Sequence, residues 1–249
     1  MSTAAVQIEH LGFRYPGQQG MCITDLNLRV EAGDRFGLFG PNGAGKTTLM
    51  NLMTGLLDYK QGSIRLLGQE LGRHDKSFTR LFGFVPQDFS FYQELTPLEN
   101  LAFFGAWSGL GKKEISARSA QLMEVLGLSD VKNKPVLTFS GGMKRRVNLA
   151  IGVIHNPSIL FLDEPTVGVD IHTRLAIIDY LKQLNQAGTT LIYTSHQLSE
   201  AEDLCQTIAL IDQGKIIASD SLQGLLAKHG ELGLEGLFLN LTGRAYRDG

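Results

Sequence analysis

The residues Gly40-Pro41-Asn42-Gly43-Ala44-Gly45-Lys46-Thr47 match G-x-x-x-x-G-K-[ST], the spacing of a phosphate-binding loop. Glycines let the backbone curl until successive N–H groups point inward, and a following helix N-terminus adds the positive end of its dipole. Lys46 supplies a compact charge for the β- and γ-phosphates of a nucleoside triphosphate, and the Thr47 hydroxyl can ligate Mg2+. A second chemical cluster ends the run Ser158-Ile-Leu-Phe-Leu-Asp-Glu164. There Asp163 can hold Mg2+ through water, and Glu164 can act as a base or orient the attacking water. Gln87 leaves Phe82-Gly-Phe-Val-Pro86, and His196 leaves Thr189–Ser195; both fit a site at one sheet edge, and His196 there would sense the γ-phosphate. Ser140 reads as an N-cap, and with Gly141 and Gly142 it leaves a bare helix N-terminus, a second anion site.

These groups need elements to position them. Arg35–Phe39 reads as a buried strand entering the phosphate loop, and KTTLMNLMTG as a helix closed by Gly55. Residues 5–13 and 23–30 read as strands of a small antiparallel layer joined through the turn Arg14-Tyr15-Pro16-Gly17. Tyr15, at a strand end, offers an aromatic face to a nucleobase. Residues 62–68 and 82–86 read as further strands. The character changes between Leu95 and Lys134, where apolar residues recur at helical spacing behind the cap signature Thr96-Pro97-Leu98-Glu99. Of the aromatics in and just before this block (Phe89, Phe91, Tyr92, Phe103, Phe104, Trp107), most are expected in the core, with some left for docking a partner. Lys144, Arg145 and Arg146 read as a solvated face. A helix is expected from about His172 to Ala187, then a core strand at 189–195, a hairpin (IALIDQG, KIIASD), and two short helices near 221–228 and 234–243.

The 249 residues suit one large domain with a subdomain, and 43% apolar residues support a substantial core. A net charge of −2 gives no bulk attraction to nucleic acid. Cys22 and Cys205 lie far apart and form no metal spacing, which favours two reduced, packed thiols. The N-terminus lacks the pattern of a signal peptide, and no apolar run reaches the ~18 residues that span a bilayer. A membrane partner would have to supply any spans.

Taken in order, GPNGAGKT, Gln87 in FVPQD, FSGGMKRR, ILFLDEP, VGVD and His196 resemble the ATP-binding cassette (ABC) ATPases over nearly the whole chain. The resemblance implies an α/β fold: a phosphate-loop core with a mainly parallel sheet, an N-terminal antiparallel β layer and an inserted helical subdomain. The core would span residues 1–88 and 136–230, the helical subdomain 89–135 and a short helical tail 231–249. It implies ATP and Mg2+ as cofactors. Tyr15 resembles the adenine-stacking aromatic, and Gly40 to Thr48 wrap the phosphates. Gln87 resembles the residue that touches Mg2+ and the attacking water. Asp163 resembles the Mg2+-associated aspartate, with Thr47 and Gln87 as the other metal contacts. Glu164 resembles the catalytic carboxylate, His196 the switch histidine and Asp170 a dimer contact. Ser140, Gly141 and Gly142 resemble the signature that grips the γ-phosphate of a second subunit's ATP, which implies a head-to-tail dimer. The segment 89–135 would receive a transmembrane permease subunit, placing the chain at the cytoplasmic face of the membrane.

Two departures stand out. The signature reads Phe139-Ser-Gly-Gly-Met143 where Leu-Ser-Gly-Gly-Gln is commonest, so Met143 lacks the amide's hydrogen bonds. Val167 stands where a small residue is frequent. With the tail LEGLFLNLTGRAYRD, both resemble the branch that exports drugs, lipids or polysaccharides. The competing readings are an importer ATPase and a soluble ABC-type protein acting on ribosomes or DNA. Against the latter stand one cassette rather than two, no long coiled-coil insertion and no basic surplus.

Overall fold

The structure, a computed structural model, describes residues 4–72 and 80–243. The last residues of the tail, 244–249, and the first three lie outside that range. Two sheets form the frame. Strands β1 (Ala4–Phe13), β2 (Ile23–Glu31), β4 (Gln61–Leu66) and β5 (Gln69–Glu70) make an antiparallel sheet in the order β2-β1-β4-β5. Strands β3 (Arg35–Phe39), β6 (Phe82–Val85), β7 (Ile159–Asp163), β8 (Thr190–Thr194), β9 (Thr207–Asp212) and β10 (Lys215–Ser221) make the second, in the order β10-β9-β3-β8-β7-β6. All its pairings are parallel except the β9–β10 hairpin.

The parallel strands are apolar without alternation because both of their faces are covered. Phe36, Leu38, Phe161 and Ile192 join the core cluster shared with the antiparallel sheet and α1 (Lys46–Met53). Phe39, Leu160, Leu162, Leu191 and Tyr193 point the other way, into a cluster with α4 (Gly141–Val153) and α5 (Ile171–Gln186). The period of two along each strand thus sorts one run of residues into two cores.

Helices α2 (Pro97–Trp107) and α3 (Lys112–Val125) pack together and form the helical segment. Thr96 starts α2 with a reciprocal capping box: its hydroxyl accepts from Glu99 N at 3.2 Å, and the Glu99 carboxylate accepts from Thr96 N at 2.8 Å. The chain closes with α6 (Leu198–Leu204), α7 (Leu222–His229) and α8 (Leu234–Thr242). Among the described residues no helix is long and apolar enough to cross a membrane.

Helix α4 lies between the sheet and the helical segment, touching both β6 and α2. Glycine makes the first contact possible: a Cβ at Gly83 would sit 2.0 Å from the Gly152 carbonyl oxygen. This placement overturns the expected solvated face at Arg145 and Arg146, while Lys144 is half-buried. Arg145 is buried, and Arg146 donates from Nη1 to the Leu126 carbonyl at 2.9 Å. A helix enclosed on two sides has only a narrow strip left for water, and these guanidinium groups find backbone carbonyls instead.

The aromatic expectation is corrected in the other direction. Phe91 is buried, but Phe89 (36%), Tyr92 (48%), Phe103 (43%) and Trp107 (72%) are exposed. Tyr92 and Phe103 meet edge to face with centroids 5.0 Å apart. The helical segment is only a thin layer, and among the described residues nothing covers this aromatic face.

Candidate active site

The sheet order carries four loops to one edge. The carboxyl ends of β3, β8, β7 and β6 are neighbours, and they lead to Gly40, Ser195, Glu164 and Pro86. Ligands of open α/β sheets bind outside such an edge. A cleft of about 600 Å³ opens there, lined by Tyr15, Gln18, Cys22, Asn42, Gly43, Gly45, Lys46, Thr47, Thr48, Gln87, Glu164, Val167 and His196. Gly40, Pro41 and Ala44 form the back of the loop: Ala44 N donates to the Pro41 carbonyl at 3.1 Å. Gly45 turns the chain into α1 with φ of 108°, a left-handed conformation that a side chain resists.

Lys46 is 6% exposed and donates to the Gly40 carbonyl at 2.6 Å and the Pro41 carbonyl at 3.2 Å. Burial lowers its pKa, while the charges of Glu164 and Asp163 pull it back up. A phosphate would offer Lys46 a full negative charge in place of two carbonyl dipoles. Tyr15 hydrogen-bonds Thr48 through its hydroxyl at 3.0 Å, and its ring meets Phe13 edge to face at 4.9 Å.

Opposite the loop, the Glu164 carboxylate gathers two predicted partners. Gln87 Nε2 donates to Glu164 Oε2 at 3.2 Å, and His196 Nδ1 lies 3.1 Å from the same oxygen. A carboxylate only accepts, so Nδ1 carries the hydrogen. The Glu164 backbone has φ of 50°, rare for a residue of this type and worth about 1–3 kcal/mol of strain. Its N–H donates to the Thr194 carbonyl at 3.1 Å, which holds the turn in place. Sequence reasoning could not see this strain, because nothing in the letters Asp-Glu-Pro specifies a left-handed residue.

Asp163 is 2% exposed and is hydrogen-bonded by Thr47, a residue of the cleft wall. Burial raises its pKa; hydrogen bonds from Thr194, at 2.6 Å, and from Thr47 oppose the rise. Among the described residues no group of three or more His, Cys, Asp or Glu could hold a metal unaided. The all-oxygen set of Thr47, Asp163 and Gln87 fits Mg2+ of the kind shared with substrate phosphates, which needs only one or two protein carboxylates.

Ser140, Gly141 and Gly142 are not in this cleft. They lie at the exposed start of α4, where the Ser140 hydroxyl accepts from Met143 N at 3.3 Å. Gly142 packs beside Thr173 near the start of α5, and Asp170 caps that helix, accepting from Thr173 N at 2.9 Å. The structure therefore brings the signature and Asp170 together, away from the phosphate loop of the same chain. Gln18 and Cys22 line the cleft without belonging to any motif, and Thr194 is recognisable only from its hydrogen bonds.

A parallel sheet whose carboxyl edge gathers a phosphate loop, a strand-end Asp–Glu pair, a glutamine and a histidine defines a phosphate-loop nucleoside triphosphatase. Comparison with known proteins narrows the class. The profile described as ABC transporter matches residues 23–167, and the chain belongs to that family as an ATP-binding and ATP-hydrolysing subunit. The linearmycin resistance ATP-binding protein of Bacillus subtilis (strain 168) is 40% identical over 84% of this chain and 67% of its own length. A daunorubicin resistance ATP-binding protein of Streptomyces coeruleorubidus is 34% identical over 98% of this chain and 80% of its own length. The Nod factor export ATP-binding protein I of Rhizobium sp. (strain N33) is 35% identical over 90% and 74%. A solved structure described as the ATP binding subunit of an ABC transporter superposes with a TM-score of 0.88 at 26% identity, covering 96% of this chain and 99% of that one.

Proposed function

We propose that this chain powers an exporter, with ATP bound in the cleft and a second ATPase subunit closing over it. The observation that carries the reading is the meeting of Gln87 Nε2 and His196 Nδ1 on one oxygen of Glu164, across the cleft from Lys46. Gly40 to Thr48 wrap the phosphates, and Tyr15 stacks on adenine. Thr47 and Asp163 would hold Mg2+, with Gln87 close by, and the ion would supply neutralisation of the charge on the phosphates. Glu164 takes the proton of the attacking water, Gln87 orients that water, and His196 holds the carboxylate and faces the γ-phosphate. Ser140–Gly142 of the facing subunit complete the site, and Asp170 contributes to the subunit contact. Support for the dimer is the exposure of the signature outside its own cleft.

The export direction rests on relatives named for drug resistance and Nod factor export. The permease docks on the exposed aromatic face of Phe89, Tyr92, Phe103 and Trp107, and holds the chain at the cytoplasmic side of the membrane. Affinity capture from solubilised native membranes is expected to recover a polytopic membrane protein in near-stoichiometric amount, and Tyr92→Glu should release it. Recovery of ribosomal or DNA-associated proteins alone would overturn the transporter assignment.

The cleft can be tested separately through its thiol. Cys22 is half-buried on the cleft wall, with Sγ 3.5 Å from the Thr48 hydroxyl. Cys205 is buried, and burial drives its pKa far above the usual thiol range. N-ethylmaleimide is expected to add once, at Cys22, and saturating ATP to slow that reaction about tenfold as the free site disappears. An adduct rate indifferent to ATP would place the nucleotide elsewhere.

A further inference from the structure

Two side chains on one face of α4 hold the backbone that carries Gln87. Arg145 Nη1 donates to the carbonyl of Gln87, and Asn148 Nδ2 donates to the carbonyl of Pro86 at 3.1 Å. The two lie one helical turn apart, so they act in parallel on successive peptide groups. Both are buried, at 6% and 2% exposure. The guanidinium also lies over the Phe89 ring, 4.8 Å from its centroid. Its Nε has no hydrogen-bond partner among the described residues.

Packing alone does not account for this arrangement. A buried guanidinium with an unsatisfied N–H is costly, and a leucine or methionine would fill the space without desolvating a charge. Burial lowers the Arg145 pKa, and the charges of Asp88 and Glu164 oppose that shift. The cation therefore sits in the field of the cleft's own carboxylate, behind the residue that donates to it.

We propose that Arg145, assisted by Asn148, is a positioning residue that makes Gln87 move with α4. The helix begins at Ser140 and Gly141, so a displacement of the signature end reaches the amide of Gln87 and its bond to Glu164. On the reading given above, nucleotide gripped by this signature in the facing subunit then sets the geometry of hydrolysis in this one. The inference rests on that reading for the role of Gln87.

A double-mutant cycle on the full chain tests it. Arg145→Ala is expected to lower kcat about tenfold with the Kd for ATP unchanged within about twofold, and to cost less than about twofold in a Gln87→Ala background. Arg145→Lys, which keeps one donor for the carbonyl, should lose about threefold alone and nothing measurable in Gln87→Ala. A residue that only supports folding would give the same loss in both backgrounds. Equal losses, or an Arg145→Ala chain with full turnover, would overturn the strut and leave the site reading standing. Undiminished turnover in Gln87→Ala alone would overturn the site reading on which the strut rests.

Discussion

Glu164→Gln is expected to reduce ATP turnover by at least about 100-fold while ATP still binds. The amide is nearly isosteric, and its oxygen can go on accepting from Gln87 and His196, so the geometry at 3.2 and 3.1 Å survives. What disappears is the group able to take a proton from water. With ATP bound as proposed, the change also removes a negative charge near the γ-phosphate, which would relieve repulsion in the bound state. Binding should therefore be equal or tighter. The subunits should remain closed on unhydrolysed ATP, eluting as a dimer in Mg-ATP where the native chain returns to monomer. Phosphate release and size-exclusion chromatography check the two halves. Turnover near the native rate would show that the base is elsewhere.

Lys46→Met is expected to weaken ATP binding by roughly 100-fold, in line with the loss of a charged hydrogen bond to phosphate. Methionine keeps the aliphatic stem that is buried under the loop, so the substitution isolates the charge. In the free protein Lys46 caps the carbonyls of Gly40 and Pro41, and the variant leaves those without the ammonium group. A small fall in melting temperature is expected from that alone. The diagnostic quantity is the further rise in melting temperature on adding ATP, which binding supplies by mass action. That rise should be present in the native chain and almost absent in the variant at the same ATP concentration. A native-like rise would mean that the phosphates do not lie against Lys46.

Both substitutions target residues that were legible in the letters, and the reason is local. A phosphate loop works through its own backbone, so Gly45, Lys46 and Thr47 declare their arrangement within a few residues of each other. Strands covered on both faces show as unbroken apolar runs, and Ile159–Asp163 therefore announces where Asp163 and Glu164 must emerge. The cap at Ser140 is equally local, a hydroxyl before two glycines and a helix.

Other features depend on contacts between distant parts of the chain, and there the letters carried no signal. That β4 joins the antiparallel sheet beside β1 follows from pairing across more than fifty positions, such as Val6 with Leu66. Glu200 shows the same limit. It is buried, and accepts from Tyr193 at 2.6 Å, Ser195 at 2.8 Å and Thr166 at 2.8 and 2.9 Å, tying the loop after Glu164 to the loop before His196. Its sequence context, in a short acidic stretch, reads like any solvated helix face.

Arg145 is the sharpest case. In Met-Lys-Arg-Arg it has the composition of a surface, yet α4 is enclosed by β6 and the helical segment, and its guanidinium ends on the Gln87 carbonyl. The sequence by itself determined the nucleotide chemistry, because the residues that make it are adjacent or stand at strand ends. Which charged side chains are buried, which aromatics are left outside, and that Glu164, Gln87 and His196 share one oxygen were decided only by tertiary packing. Burial and hydrogen-bond partnership are properties of what arrives from elsewhere in the chain.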